Sequence, residues 1–261
     1  MTMKAEDYQR LLYARDLLEN PGLAARLTNV VGMPFEKAFA YLPEKWSEVI
    51  QGITQKSLTK ALDVAVKTMN GGRRKNSSDT LHKFLVAASG GIGGAFGLPA
   101  LALELPATTV IMFRSIADIA RSEGENLEAL ETKLACLTVF ALGGSSDRDN
   151  SAESGYYAVK ILLAQEVSEA AKYILRRGVA EEGAPALVRL LATIASRFGV
   201  TVSQKAAASA VPIVGAAGGA LINSIFMDHF QNMARGHFIV RSLDRQYGAD
   251  EVRRLYHRIS L

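Results

Sequence analysis

Cysteine is almost missing from this chain of 261 residues: Cys136 stands alone. One thiol excludes an internal disulfide framework and any metal site built from several cysteines, and it suits a reducing compartment. Strand-like alternation of apolar and polar residues is nearly absent too, which argues against a sheet. Aromatic residues make up 7% of the chain, and no aromatic platform accompanies the only compact basic run, Arg73-Arg74-Lys75, so nucleic acid is not an expected partner. Charge of one sign never accumulates. The 30 lysines and arginines are interleaved with 26 acids, for a net charge of +4, which gives only mild attraction to anionic surfaces. The segment from Met1 to Arg10 is charged and has no apolar core of a secretory signal, so a cytoplasmic protein is expected. The protease patterns HExxH and GxSxG do not occur, and no histidine lies near Cys136 in sequence. No cofactor and no metal set is expected.

What the chain has in quantity is glycine within apolar segments. Phe84 to Leu103 contains Gly90, Gly91, Gly93, Gly94 and Gly97, and Ala206 to Met227 contains Gly215, Gly218 and Gly219. Each stretch is uncharged over about the length of a bilayer span until Glu104 follows the first. Gly90 with Gly94, Gly93 with Gly97 and Gly215 with Gly219 are four apart, which puts each pair on one helix face. Glycine weakens a helix by about 1 kcal/mol relative to alanine, so such faces are expected where another backbone or a ligand approaches closely. The first stretch has large apolar side chains worth about 0.3–0.6 kcal/mol each on an insertion scale, but its glycines and Pro99 oppose insertion. A hairpin in the core, or one dipping into an interface, is expected over a fixed span.

Apolar residues recur at three and four positions from end to end, so the fold expected is all-α, a multi-helix bundle built around the two glycine-rich helices. The periodicity predicts helices near 5–19, 43–69, 80–96, 105–123, 126–142, 154–178, 184–198, 200–210, 212–247 and 249–259. Pro43 and Pro185 fit first helical turns, and Gly124, Gly178, Gly199 and Gly248 fit helix ends. The chain reads as one domain, 1–261, with two halves, 1–142 and 155–261, joined by the loop 143–155. Asp147, Asp149 and Ser151 in that loop open like a calcium site, but Ala152 and Ala158 stand where glycine and a bidentate glutamate are needed. Gly91, Gly93 and Gly97 have the wrong spacing for a dinucleotide loop and follow no strand.

Several segments resemble one known family. GLPALALELPATTVIMFRSIADIARSEGENL (97–127), KLACLTVFALGG (133–144), SGYYAVK (154–160), VPIVGAAGGALIN (211–223), the His-Phe pair at 237 and RSLDRQYGADEV with Tyr256 (241–256) are similar to the EcsC family. Where that family often has Asp-x-Pro, this chain has Glu104-Leu105-Pro106. The resemblance is to the bacterial branch of a family named after a gene adjacent to those of an ABC transporter, and it brings no established activity with it.

The candidate polar residues are Glu104, Arg114, Asp118 and Asn223. Glu104 and Pro106 read as a helix start, with the carboxylate beside the positive end of the helix. Arg114, Asp118 and Arg121, four and three apart, read as charges that pair with one another inside an apolar helix. Asn223, among Leu221, Ile222, Ile225 and Phe226, reads as a buried amide that fixes helix register. His229 and His237 are two turns apart, a poor geometry for sharing a metal. The run from Arg235 to Arg258 reads as amphipathic, with its charges on the outer face.

These readings lead to a non-enzymatic protein, cytoplasmic or peripheral at the inner face of the membrane. Its glycine-lined surface (Gly90, Gly93, Gly94, Gly97, Gly215, Gly218 and Gly219) would accommodate an acyl chain or the transmembrane helix of a transporter-type partner. The rivals are a soluble protein–protein interaction module and a hydrolase of unfamiliar type using Glu104, Asp118 or a histidine. The hydrolase requires those side chains to converge in a cleft.

Overall fold

A computed structural model describes residues 3–20, 22–33, 35–67, 97–143, 155–177, 185–211 and 215–259. These residues form helices and turns with no strand among them. The helices are α1 (Ala5–Glu19), α2 (Leu23–Val31), α3 (Phe35–Ala38), α4 (Trp46–Lys67), α5 (Gly97–Ser122), α6 (Leu130–Thr138), α7 (Gly155–Arg177), α8 (Pro185–Ala210), α9 (Gly215–Tyr247) and α10 (Ala249–Arg258), with short 3-10 turns at Phe39–Tyr41 and Val139–Ala141. The expected helix at 80–96, the run Arg73-Arg74-Lys75, Gly90 to Gly94, Gly178 and the residues Asp147, Asp149 and Ser151 lie outside the described residues.

The architecture follows from which helix faces are apolar. Every residue from Thr132 to Leu142 is buried, so α6 and the 3-10 turn after it form the centre, as expected of a helix apolar on all sides. Around it pack α4, α5, α7 and α8. The long α9 crosses the bundle against α1, α2, α5 and α8. Phe140, Phe198, Phe226 and Phe230 form the aromatic middle, with ring centroids of Phe140 5.0 Å from Phe198 and 5.2 Å from Phe230. One cluster of buried residues runs from Leu11 to Ile259 and draws on both sides of the 144–154 segment.

Several expected boundaries move, each for a visible reason. Helix α5 begins at Gly97 rather than at 105, with Pro106 in its interior. Leu101, Leu105, Thr109, Met112, Ile116 and Ala120 form one buried stripe across the proline, and burying it outweighs the missing amide hydrogen. Gly199 ends no helix, because the stripe Leu190, Ile194, Phe198, Val202, Ala206 runs through it and keeps α8 continuous. Pro43 precedes α4 by a turn instead of opening it. No helix is predicted between 19 and 43, yet α2 buries Leu23, Leu27 and Val31 and is bracketed by Gly22 and Gly32, both left-handed with φ of 58° and 68°. Gly124 and Gly248 do follow helix ends, with φ of 81° and 88°.

Candidate functional site

Helices α5 and α9, which carry the described parts of the two glycine-rich stretches, pack against one another and run in the same direction. Gln231 donates to Ser115 at 2.9 Å, and Arg241 donates to Glu125 at 2.8 Å; both pairs are 116 apart in sequence. Running parallel at that offset, the apolar starts of α5 and α9 lie toward the same end of the bundle. Leu103 is 75% exposed there and Leu221 50%. Among the described residues, a Cβ built at Gly219 meets nothing within 4 Å. Close approach of backbone occurs elsewhere. At Gly236, a Cβ would lie 2.6 Å from Leu18 Cγ and 2.9 Å from the Ala14 carbonyl oxygen.

Of the predicted polar residues, Glu104 has a partner that the sequence reading missed. The Lys205 ammonium on α8 donates to it at 2.8 Å; Lys205 is 2% exposed and Glu104 28%. The Lys205 Nζ also lies 5.0 Å from the Phe226 ring, a favourable place for a desolvated cation. Glu104 therefore serves as the counter-ion of a buried lysine in mid-helix, not as a cap. Arg114 and Asp118 are corrections: both are exposed, and Asp118 pairs at 3.0 Å with Arg121 rather than with Arg114. They sit on the face of α5 opposite its buried stripe. Asn223 is only half-buried.

The charges of α9 are a second correction, since Arg241 and Asp244 turn inward. Glu125, 5% exposed, accepts from Arg241 Nε at 2.8 Å and is also paired with Arg245. Burial pushes the Glu125 carboxyl up, but the bonds and charges of Arg241 and Arg245 outweigh it and leave the pKa below the ordinary value. Lys160 donates to Asp244 at 2.5 Å and lies 4.7 Å from the Tyr157 ring. Burial drives both members of that pair toward their neutral forms. Tyr156 Oη is 3.1 Å from His237 Nδ1, and Tyr256 donates to Glu19 at 2.8 Å. The rings of Tyr156 and Tyr157 both pack on Tyr256. Segments that carry the family resemblance thus meet in space: Glu125, Tyr156, Tyr157, His237 and Tyr256, all buried, form one cluster with the half-buried Lys160, Arg241 and Asp244.

This cluster is built to hold helices together. Burial, followed by the Arg241 and Lys160 charges, keeps His237 neutral, and burial raises the three tyrosine hydroxyls. Burial also pushes the Cys136 thiol up to about 12, which leaves it a packed, inert group. His229 is pushed down to about 4 by burial and then by the Arg26 charge, against a hydrogen bond with the Leu142 backbone that acts the other way. Glu104, Asp118, His229 and His237 do not converge on one another. Among the described residues, no group of three or more histidine, cysteine or acidic side chains is arranged to hold a metal ion. One helix among them, α8, is long and apolar enough to cross a membrane, and a third of its apolar window is buried.

A cavity of about 390 Å³ opens beside the cluster. Its wall is made by the end of α1 (Leu18, Glu19), the start of α2 (Gly22 to Ala25), Leu142 and Gly143, the start of α7 (Gly155, Tyr156, Val159), and Arg197 and Gln204 of α8. Arg197 Nε donates to the Ala141 carbonyl at 2.8 Å.

No curated protein and no solved structure matches this chain. The profile of the EcsC protein family matches residues 6–243, a span that covers all or most of every described helix except α10 and includes Glu125, Tyr156, Tyr157, Lys160, His237 and Arg241 of the cluster. The convergence of the resembling segments and the length of that match lead to one conclusion: the chain belongs to the EcsC protein family.

Proposed function

We infer that this protein acts without covalent chemistry, as a peripheral membrane or lipid-associated helical module. The apolar, glycine-rich ends of α5 and α9 accommodate an acyl chain or a partner's transmembrane helix. The observation that carries this reading is the polarity of the α5–α9 pair. Its starts are apolar with Leu103 and Leu221 exposed, while its other end carries the Glu125, Arg241 and Arg245 network. Large exposed apolar side chains at one end of a bundle favour an apolar neighbour. The open space at Gly219 leaves room for a bulky guest against main chain, as in small-residue helix packing. The buried tyrosines, histidines and thiol offer no activated nucleophile, which favours binding over catalysis.

Liposome flotation tests the reading. The purified chain is expected to float with vesicles of phosphatidylethanolamine and phosphatidylglycerol, and the Leu103→Glu/Leu221→Glu chain is expected to stay at the bottom of the gradient. Recovery of the wild-type chain entirely in the soluble fraction, with and without anionic lipid, overturns it. That result would favour a soluble interaction module.

A further inference from the structure

The end of the bundle that carries the starts of α5 and α9 has a third component, the segment from Met33 to Val49. It is rich in aromatic residues, with Phe39, Tyr41 and Trp46, and Trp46 is the one tryptophan in the chain. Packing fixes its place. Ala38 is buried in one cluster with Ala207, Ala208 and Val211 at the end of α8 and with Ile222 and Ile225 near the start of α9. Met33, Phe39 and Leu42 pack against that cluster. The bond from Lys205 to Glu104 ties the same end of α8 to the start of α5. The Trp46 ring joins the group through Phe39, with ring centroids 5.5 Å apart.

The core uses these side chains only in part. Tyr41 is 48% exposed and Val49 44%, while Phe39, Leu42 and Trp46 are half-buried. Together with Leu103 and Leu221, the exposed apolar groups come from three separate stretches of chain around one end of the bundle. A fluid apolar phase conforms to groups spread in this way, whereas a rigid partner needs a contiguous complementary patch. Tyrosine and tryptophan, each with an apolar body and a polar tip, are favoured where hydrocarbon meets headgroup. The charges among them complement a zwitterionic headgroup layer. Lys37, Glu44, Lys45 and Glu48 are exposed, two of each sign, and none forms an ion pair among the described residues. The lysines suit phosphates and the glutamates suit headgroup ammonium groups. Lys45 is also the one described non-glycine residue with positive φ, 62°. A lysine is strained in that region, and the turn it makes leads into α4, where Trp46 and Val49, three apart, share a face.

We propose that the stretch from Phe39 to Val49 is an interfacial anchor, in which Tyr41, Trp46 and Val49 enter the boundary between headgroups and acyl chains of a zwitterionic phospholipid bilayer. The occupant is the lipid surface itself. Because the charges of the segment balance, attraction to that surface is apolar and aromatic, so binding is nearly independent of salt and of anionic lipid. The anchor rests on the membrane-associated reading and adds to it the residues that meet the interface beside the starts of α5 and α9.

The single tryptophan reports on the anchor without a label. Fluorescence of the full chain is titrated with vesicles of phosphatidylcholine and phosphatidylethanolamine, with and without phosphatidylglycerol. Trp46 emission is expected to shift saturably to shorter wavelength, and to be quenched more by lipids brominated high on the acyl chain than by lipids brominated near its end. The partition coefficient is expected to change by less than about threefold on adding phosphatidylglycerol, or between about 0.05 M and about 0.5 M salt. Tyr41→Ser/Val49→Ser keeps Trp46 as the reporter and is expected to weaken partition at least about tenfold, with the urea midpoint kept because both side chains are exposed. Should that chain fail to fold, quenching of the wild-type chain by the brominated lipids decides alone. A wild-type chain that floats with vesicles but shows neither shift nor quenching overturns the anchor and leaves the α5–α9 contact standing. Binding that requires phosphatidylglycerol or is lost in salt overturns the anchor too, as does unchanged partition of the double variant. A chain that neither floats nor responds overturns the membrane reading together with the anchor and leaves this end of the bundle to a protein partner. Flotation and Trp46 response both retained in Leu103→Glu/Leu221→Glu support the anchor and overturn the part assigned to α5 and α9.

Discussion

Two glycine-to-alanine substitutions in α9 are expected to change stability in opposite directions. In Gly236→Ala the new methyl would lie 2.6 Å from Leu18 Cγ and 2.9 Å from the Ala14 carbonyl oxygen. Neither atom is the free end of a flexible side chain, so α1 and α9 must separate. Inserting a methyl into such a contact costs about 1–3 kcal/mol, and the better helix propensity of alanine returns about 1 kcal/mol. The net loss is up to about 2 kcal/mol, or up to about 8 °C in Tm for a chain of this size. In Gly219→Ala the methyl meets nothing within 4 Å, so only the propensity term acts, a gain of about 0.5–1 kcal/mol. Urea midpoints by far-ultraviolet circular dichroism read both. If Gly236→Ala raises the midpoint as Gly219→Ala does, the close approach of α1 to α9 is wrong. If Gly219→Ala lowers it, the glycine-rich start of α9 is packed against a neighbour after all.

Three further outcomes follow from the buried charges. Glu104→Ala strands the Lys205 ammonium in the core and is expected to cost about 3 kcal/mol, whereas Lys205→Met leaves a carboxylate that still reaches water and is expected to cost under about 1 kcal/mol; equal losses in urea titrations would contradict that asymmetry. Glu125→Ala leaves Arg241 and Arg245 without their shared acceptor, with an expected loss of about 2 kcal/mol, because both guanidiniums keep partial access to solvent; an unchanged midpoint would remove the network from the list of stabilising features. The His229 pKa is depressed from 6.5 to about 4, so between those values the unfolded chain binds the proton that the folded chain refuses. Stability therefore falls as pH drops through that window, by about 3 kcal/mol from this residue, with His237 adding in the same direction. In His229→Gln the slope of midpoint against pH is expected to flatten, and an unaltered slope would place the titration elsewhere.

The all-helical class and the helices α4, α7 and α9 are legible in the sequence because apolar stripes repeat at helical spacing. Where the reading fails, a local signal is overruled by a stripe longer than the window used to judge it. Pro106 and Gly199 both look like boundaries, yet Leu101 to Ala120 and Leu190 to Ala206 bury a continuous face on either side of them. The converse holds at α2, which buries Leu23, Leu27 and Val31 in only nine residues, too short a stripe to announce a helix, and packs them in one cluster with Ile222 and Ile225.

Polar partners are the part that a single sequence conceals. Lys205 is visible as a lone charge in an alanine-rich helix, and Glu104 as a lone acid after an apolar run, but nothing local joins residues 101 apart. The outward reading of Arg241 and Asp244 fails for a related reason. Spacing along α9 shows which residues share a face, but it is silent about whether Glu125 or Lys160 comes to meet that face. Glycine shows the same asymmetry. Composition draws attention to Gly215, Gly218 and Gly219, while the contact that tolerates no side chain is at the isolated Gly236, whose neighbours come from α1. A glycine needed for packing is identified by what lies opposite it. A glycine with nothing opposite, such as Gly219, is a position where packing within the described residues asks for no glycine.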